Sequence, residues 1–144
     1  MIIFSEKDKP IFSLSEKGTK SILRIKTNGL FCEQILIDDD SDPVILSPRC
    51  DWALRVYRGE HQEMCTFVEL KGNDITRACT QILNSIEQIK QIFPKLILAK
   101  KSFVIVSGNF PRTDVQNIQN IFFKETKTML VVRRPSKKPE DFPL

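Results

Sequence analysis

The chain has 144 residues, 41% hydrophobic and 28% charged, which gives room for one sizeable core in a single globular domain. A net charge of +4 permits nucleic-acid binding without requiring it. No stretch approaches the roughly 20 apolar residues of a membrane helix, and Met1-Ile2-Ile3-Phe4-Ser5-Glu6-Lys7 lacks the apolar run of a secretory signal, so a cytoplasmic protein without membrane association is expected.

The single histidine, His61, argues against a histidine-based triad or a His-rich metal site. Cys32, Cys50, Cys65 and Cys79 have no zinc-knuckle spacing. They are expected as reduced, mostly buried thiols.

Residues 1–19 are mixed and polar, with Pro10 and Gly18, and read as an N-terminal arm or short edge strand. Ser21 to Lys26 and Leu30 to Asp38 flank Asn28-Gly29, a strong hairpin signal. Leu23/Ile25 and Ile35/Ile37 alternate with period two, so two paired strands are expected rather than a helix. The acidic run from Asp38 to Asp42 lacks the glycine and terminal glutamate of a calcium loop and reads as a solvated turn.

Cys50 to Tyr57 and Met64 to Gly72 are apolar and β-branched or aromatic, with Arg58-Gly59-Glu60-His61-Gln62 between them, so a hairpin is expected. Centred on Glu60, it sets Tyr57 opposite Glu63, Ala53 opposite Phe67 and Asp51 opposite Glu69. Trp52, Leu54, Val56, Met64, Val68 and Leu70 then share an apolar face, while Asp51, Glu69 and Lys71 end the other. Directly opposed residues have Cβ atoms roughly 4.5–5.5 Å apart. Two carboxylates at that distance repel, and they suit a hard cation such as Mg²⁺.

Gly72-Asn73-Asp74 breaks the strand and offers N-cap residues. Ile75, Ala78, Cys79, Ile82, Ile86, Ile89 and Phe93 then recur at helical spacing up to Pro94, with Gln81, Asn84, Gln88 and Gln91 on the other face. Ser102 to Ser107 reads as a strand buried on both faces. Thr113 and Gln116 form a capping-box pattern, opening a helix with Val115, Ile118, Ile121 and Phe122 inward. Thr128 to Val132 is a last strand. Residues 134–144 form a basic, proline-bearing tail expected to be flexible.

Asp51, then Glu69-Leu70-Lys71, then a helix, resembles the PD-(D/E)XK superfamily of metal-dependent nucleases and restriction-endonuclease-like proteins. Cys50 stands where that pattern has proline, with Pro48 close by. The resemblance covers residues 20–133 and implies an α/β fold, a mixed β-sheet flanked by helices in one domain. It implies Asp51, Glu69 and the Leu70 backbone carbonyl as ligands of Mg²⁺ or Mn²⁺. Lys71 would orient the attacking water and stabilise charge on the phosphate. Glu33 would be an additional upstream acid, and Gln81 a supporting residue.

The implied activity is metal-dependent phosphodiester hydrolysis in nucleic acid, with DNA expected. Lys100, Lys101, Arg112, Arg133, Arg134, Lys137 and Lys138 are candidates for a basic surface along the backbone. No helix-turn-helix or zinc-finger pattern is present for sequence readout, so specificity would come from substrate shape, a homodimer or a partner protein. The alternative is a nuclease-like module that no longer cleaves and binds nucleic acid or a protein partner.

Overall fold

The computed structural model describes residues 1–6, 10–15, 22–59, 62–70, 74–136 and 138–141. The strands are β1 (Ile2–Glu6), β2 (Ile11–Ser15), β3 (Ile22–Lys26), β4 (Cys32–Leu36), β5 (Trp52–Tyr57), β6 (Glu63–Glu69), β7 (Ile97–Leu98), β8 (Lys101–Ile105), β9 (Met129–Arg133) and β10 (Glu140–Asp141). The helices are α1 (Ile75–Ile92), between β6 and β7, and α2 (Arg112–Thr126), between β8 and β9.

The β5–β6 hairpin forms in the expected register, with Tyr57 opposite Glu63, Ala53 opposite Phe67 and Trp52 opposite Val68. Both its faces are buried, Ala53 and Phe67 in one core and Leu54 and Val68 in the other, so it lies in the middle of a sheet rather than at an edge. That sheet runs β1-β4-β5-β6-β8-β9, with the short β7 also on β6. The pairs β1/β4, β4/β5 and β5/β6 are antiparallel, whereas β6/β8 and β8/β9 are parallel. Parallel pairing requires crossovers, which α1 and α2 supply.

Both helices cover the same face. Ile82, Ile86 and Ile89 of α1 and Ile118 and Phe122 of α2 pack with Ile35, Ala53, Phe67 and Val104. On the opposite face Leu54, Val56, Val68, Phe103 and Val131 pack with Phe12, Leu14, Leu23 and Ile25. Those last four belong to a second sheet, β10-β3-β2. The result is a single α/β domain of three layers: helices, mixed sheet, small sheet. Where the resemblance implied helices flanking the sheet, the second face carries strands. β8 is buried on both faces, as its continuous apolar run requires, with Phe103 in one core and Val104 in the other.

Several local expectations are corrected. Asn28 and Gly29 take positive φ of 55° and 77°, and Leu30 N donates to Thr27 O at 3.2 Å, so the tight turn forms. The strands on either side do not pair with each other: β3 joins β2 and β10, while β4 joins β1 and β5. The turn passes the chain from one sheet to the other. Residues 1–19 contribute an edge strand, β1, to the large sheet, and β2 to the small one. Phe12 and Leu14 of β2 are fully buried.

The capping box does not form. Pro111 is the N-cap of α2 without a side-chain cap bond, and its carbonyl accepts from Asp114 N at 3.1 Å and Val115 N at 3.3 Å. Pro111 φ is −62°, an angle its ring fixes in advance, so the chain turns into the helix two residues before Thr113. Ile121, expected inward, is 51% exposed. In the C-terminal segment, expected to be a free tail, β10 pairs in parallel with β3, and Arg133 Nε lies 3.4 Å from Glu140 Oε1.

Candidate active site

Glu69 ends β6 and Asp51 immediately precedes β5, so the hairpin register brings both to one end of the sheet. Asp51 N donates to Glu69 Oε2 at 3.1 Å, and Leu70 N donates to Asp51 Oδ2 at 2.7 Å. The Asp51 carbonyl in turn accepts from Ile37 N at 2.9 Å. Asp51 is 3% exposed and Glu69 0%. These main-chain bonds orient the two carboxylates relative to each other.

The approach to Asp51 is held by α1. Asp74 caps this helix by accepting from Arg77 N at 2.9 Å, and the helix ends before Pro94 as its spacing predicts. Its polar stripe grips main chain: Gln81 Nε2 donates to Arg49 O at 3.0 Å, and Ser85 Oγ accepts from Cys50 N at 2.9 Å. Asn84 donates to Leu46 O and Pro48 O, and Gln88 Oε1 accepts from Leu46 N at 2.7 Å. Gln81 therefore positions the backbone before Asp51 rather than touching either carboxylate through this bond. Ser85, missed in the sequence, has the same part.

Arg49 was also missed. Its buried guanidinium donates to Asp38 Oδ1 at 2.9 Å, Asp40 Oδ1 at 2.6 Å and Ile45 O at 3.0 Å. The acidic run is thus a dock for Arg49, while Asp38, Asp40 and Asp42 remain exposed to solvent as expected of a turn. Asp39 accepts from Ser41 Oγ at 2.5 Å and from the N-terminal ammonium at 3.0 Å. The Ser41 hydroxyl, then the ammonium, lower its carboxyl from the ordinary 3.8 to about 2. Its contribution to stability is therefore full above about pH 4 and is lost as pH falls through about 2. Asp39→Asn is expected to lower the melting temperature at neutral pH, with the gap to wild type closing below pH 4; melts across that range check this.

The other expected site residues lie elsewhere. Glu33 is opposite Arg55 in the β4–β5 register and accepts from its Nε at 2.9 Å. Arg55 is four positions along β5 from Asp51, roughly 13 Å away at strand rise, so Glu33 does not join the pair. It is a structural partner of Arg55, whose guanidinium also sits 4.1 Å over the Phe93 ring. Lys71 lies outside the described residues, as does His61. Leu70 is fully buried.

Lys100 and Lys101 stand at the start of β8, the far end from Val104, which is opposite Glu69. Arg112 opens α2, while Arg133 ends β9 and Arg134 follows it. Lys137 lies outside the described residues. Lys100 and Lys101 are at the opposite end of the sheet from Arg133 and Arg134, so these candidates do not form one surface.

All four thiols are free and buried. Burial pushes Cys32 and Cys79 from the ordinary 9.0 up to about 11. Burial also raises Cys65, and it raises Cys50 further with help from the neighbouring Glu69 and Asp51 carboxylates. At pH 8 the native protein is expected not to react with a disulfide reagent, since the thiolate is the nucleophile. Denaturation should expose all four, and a spectrophotometric thiol titration checks both states.

In kind, the donors suit a hard divalent cation: two carboxylates and a backbone carbonyl are oxygen ligands, and Mg²⁺ typically uses one or two carboxylates and keeps several waters. Among the described residues no group of three or more His, Cys, Asp or Glu side chains is placed to hold a metal. No helix among those residues is long and apolar enough to cross a membrane. Compared with family models, curated proteins and solved structures, the chain matches none.

Proposed function

We propose that the protein is a metal-dependent nuclease of the restriction-endonuclease-like class, hydrolysing phosphodiester bonds in nucleic acid, with DNA as substrate. The observation that carries this reading is the paired burial of Asp51 and Glu69 at one end of the central hairpin, each accepting a main-chain N–H from the other's strand. Like charges so placed repel, and positive charge shared between them lowers that cost, which a bound divalent ion would supply. The succession of hairpin, helix and parallel strand (β5, β6, α1, β8) agrees with the order that the resemblance implies.

Asp51 and Glu69, with the Leu70 carbonyl, would hold Mg²⁺ or Mn²⁺. When bound, such an ion supplies Lewis acidity to a phosphoryl oxygen and a water of lowered pKa. The two carboxylates are kept in place by main chain, and Asp51 is further fixed through the Gln81 and Ser85 bonds just upstream of it. Preorganisation of this kind is what lets a ligand set act without rearranging. Lys71, next in the chain after Leu70, would stabilise negative charge developing on the phosphate. A homodimer or a partner protein would supply specificity.

One observation favours a second reading. Near-complete burial of both carboxylates also suits a latch that closes the hairpin without chemistry. The chain would then be a non-cleaving module that binds nucleic acid or a protein partner. The test is cleavage of supercoiled plasmid and short single-stranded DNA with Mg²⁺, Mn²⁺ or EDTA, comparing wild type with Glu69→Ala. Metal-dependent cutting that disappears in the variant is the expected result. Absence of both cutting and metal binding would leave the module reading.

A further inference from the structure

The large sheet's edge strand β9 ends at Arg133, and Glu140–Asp141 form β10 beside β3 in the small sheet. Residues of both sheets and of the segment between them line a cavity of about 320 Å³. Strand alternation sets Arg133 on the same face as Val131, which packs toward the small sheet. Glu69 shares the face of Phe67, which packs toward the helices. The cavity and the carboxylate pair are therefore on opposite faces of the large sheet.

Its charge is one-sided. Among the described residues that line it, Arg24, Arg133, Arg134 and Lys138 are basic and Glu140 is the one acid; Arg133 and Arg134 are the groups that would meet an anion. Arg133 is paired with Glu140 at 3.4 Å, and Arg134 Nη2 donates to Asn109 Oδ1 at 3.2 Å. Arg133 Nη1 also donates to Val132 O at 3.3 Å. A guanidinium presents five donors in a planar fork, so these contacts leave Arg133 and Arg134 with further N–H groups. Guanidinium forks match phosphate oxygens bidentately. Ile105 adds apolar wall, suited to a sugar or base attached to the anion. The volume is near the lower end of small-molecule sites, enough for one nucleotide unit and too small for a duplex.

We propose that this cavity binds a phosphate group carried by a nucleotide unit, either a free mononucleotide or one residue of a single strand. The site does not rest on Asp51 and Glu69, and it is measurable in EDTA, where no cleavage occurs. The experiment is fluorescence anisotropy of a short labelled single-stranded DNA in EDTA with wild type, Arg134→Ser, Glu140→Gln and, as a control, Lys95→Ser. Arg134→Ser is expected to weaken binding roughly tenfold, the loss of a charge-assisted bond, and to flatten its salt dependence. Glu140→Gln is expected to tighten binding, and Lys95→Ser to leave it unchanged.

Displacement of the probe by a deoxynucleoside monophosphate would assign the site to free nucleotides. Displacement only by an unlabelled oligonucleotide would assign it to a strand. Wild-type affinity in both Arg134→Ser and Glu140→Gln, or no binding of the probe by wild type, would overturn the proposal. Arg134 is exposed and Glu140 half-buried, so wild-type melting temperatures are expected. Should Arg134→Ser fail to fold, the gain in Glu140→Gln still decides.

Discussion

Glu69→Gln is expected to leave the protein folded and to lower Mg²⁺-dependent phosphodiester hydrolysis by roughly 10²–10³-fold or more, the scale of losing one electrostatic stabiliser from an active site. The substitution separates the two roles of this side chain. Glutamine keeps nearly the same volume and an amide oxygen that can accept from Asp51 N, so the bond seen at 3.1 Å has a replacement. What it removes is a charge, and with it one hard anionic ligand.

Glu69→Ala is the harsher change. It leaves the Asp51 N–H buried without that acceptor, at a cost of about 1–3 kcal/mol. A nuclease therefore loses turnover in both variants but stability mainly in the alanine one. For a structural latch, glutamine would serve nearly as well as glutamate in every assay. Steady-state cleavage rates and melts of the two variants side by side distinguish the cases.

Phe12→Ala is expected to destabilise the fold by about 3–5 kcal/mol, the usual cost of removing a buried aromatic ring, measured by urea denaturation. Phe12 is 0% exposed and packs in the core that joins the small sheet to Leu54, Val68 and Phe103. Total stability for a domain is about 5–15 kcal/mol, so this one ring is a large part of it. If residues 1–19 were only an arm, the change would fall within about 0.5 kcal/mol. Phe12→Leu, which keeps most of the volume, is expected to cost less than Phe12→Ala, and it gives a measurable transition should the alanine variant be too unstable.

The β5–β6 hairpin was legible because a short polar loop containing Gly59 and matched apolar runs fix register locally. With the register known, the meeting of Asp51 and Glu69 followed. Helix α1 was legible for a similar reason: Asp74 caps it, Pro94 bounds it, and its isoleucines recur on one face. Asn28-Gly29 misled because a dipeptide specifies a turn and not the partners of the strands beyond it. β3 and β4 each found neighbours far away in sequence.

Phe12 and Leu14 alternate with polar residues over too few positions to stand out from the mixed segment around them. Arg49 looked like any other arginine, because its partners Asp38 and Asp40 approach it only after the intervening loop folds back. The polar face of Gln81, Asn84 and Gln88 was legible from helical spacing, but Ser85 and the partners of this stripe were not, for a related reason. Its hydrogen bonds go to the irregular main chain of residues 46–50, which has no periodicity to predict from.

The most direct test of the account is Mn²⁺ binding by electron paramagnetic resonance to wild type, Asp51→Asn and Glu69→Gln, each checked for folding by circular dichroism. Wild type is predicted to bind about one ion per chain at a site that Mg²⁺ competes for, and both variants are predicted to lose it. Equal Mn²⁺ binding by all three proteins, or none by folded wild type, would contradict the assignment of Asp51 and Glu69 as metal ligands.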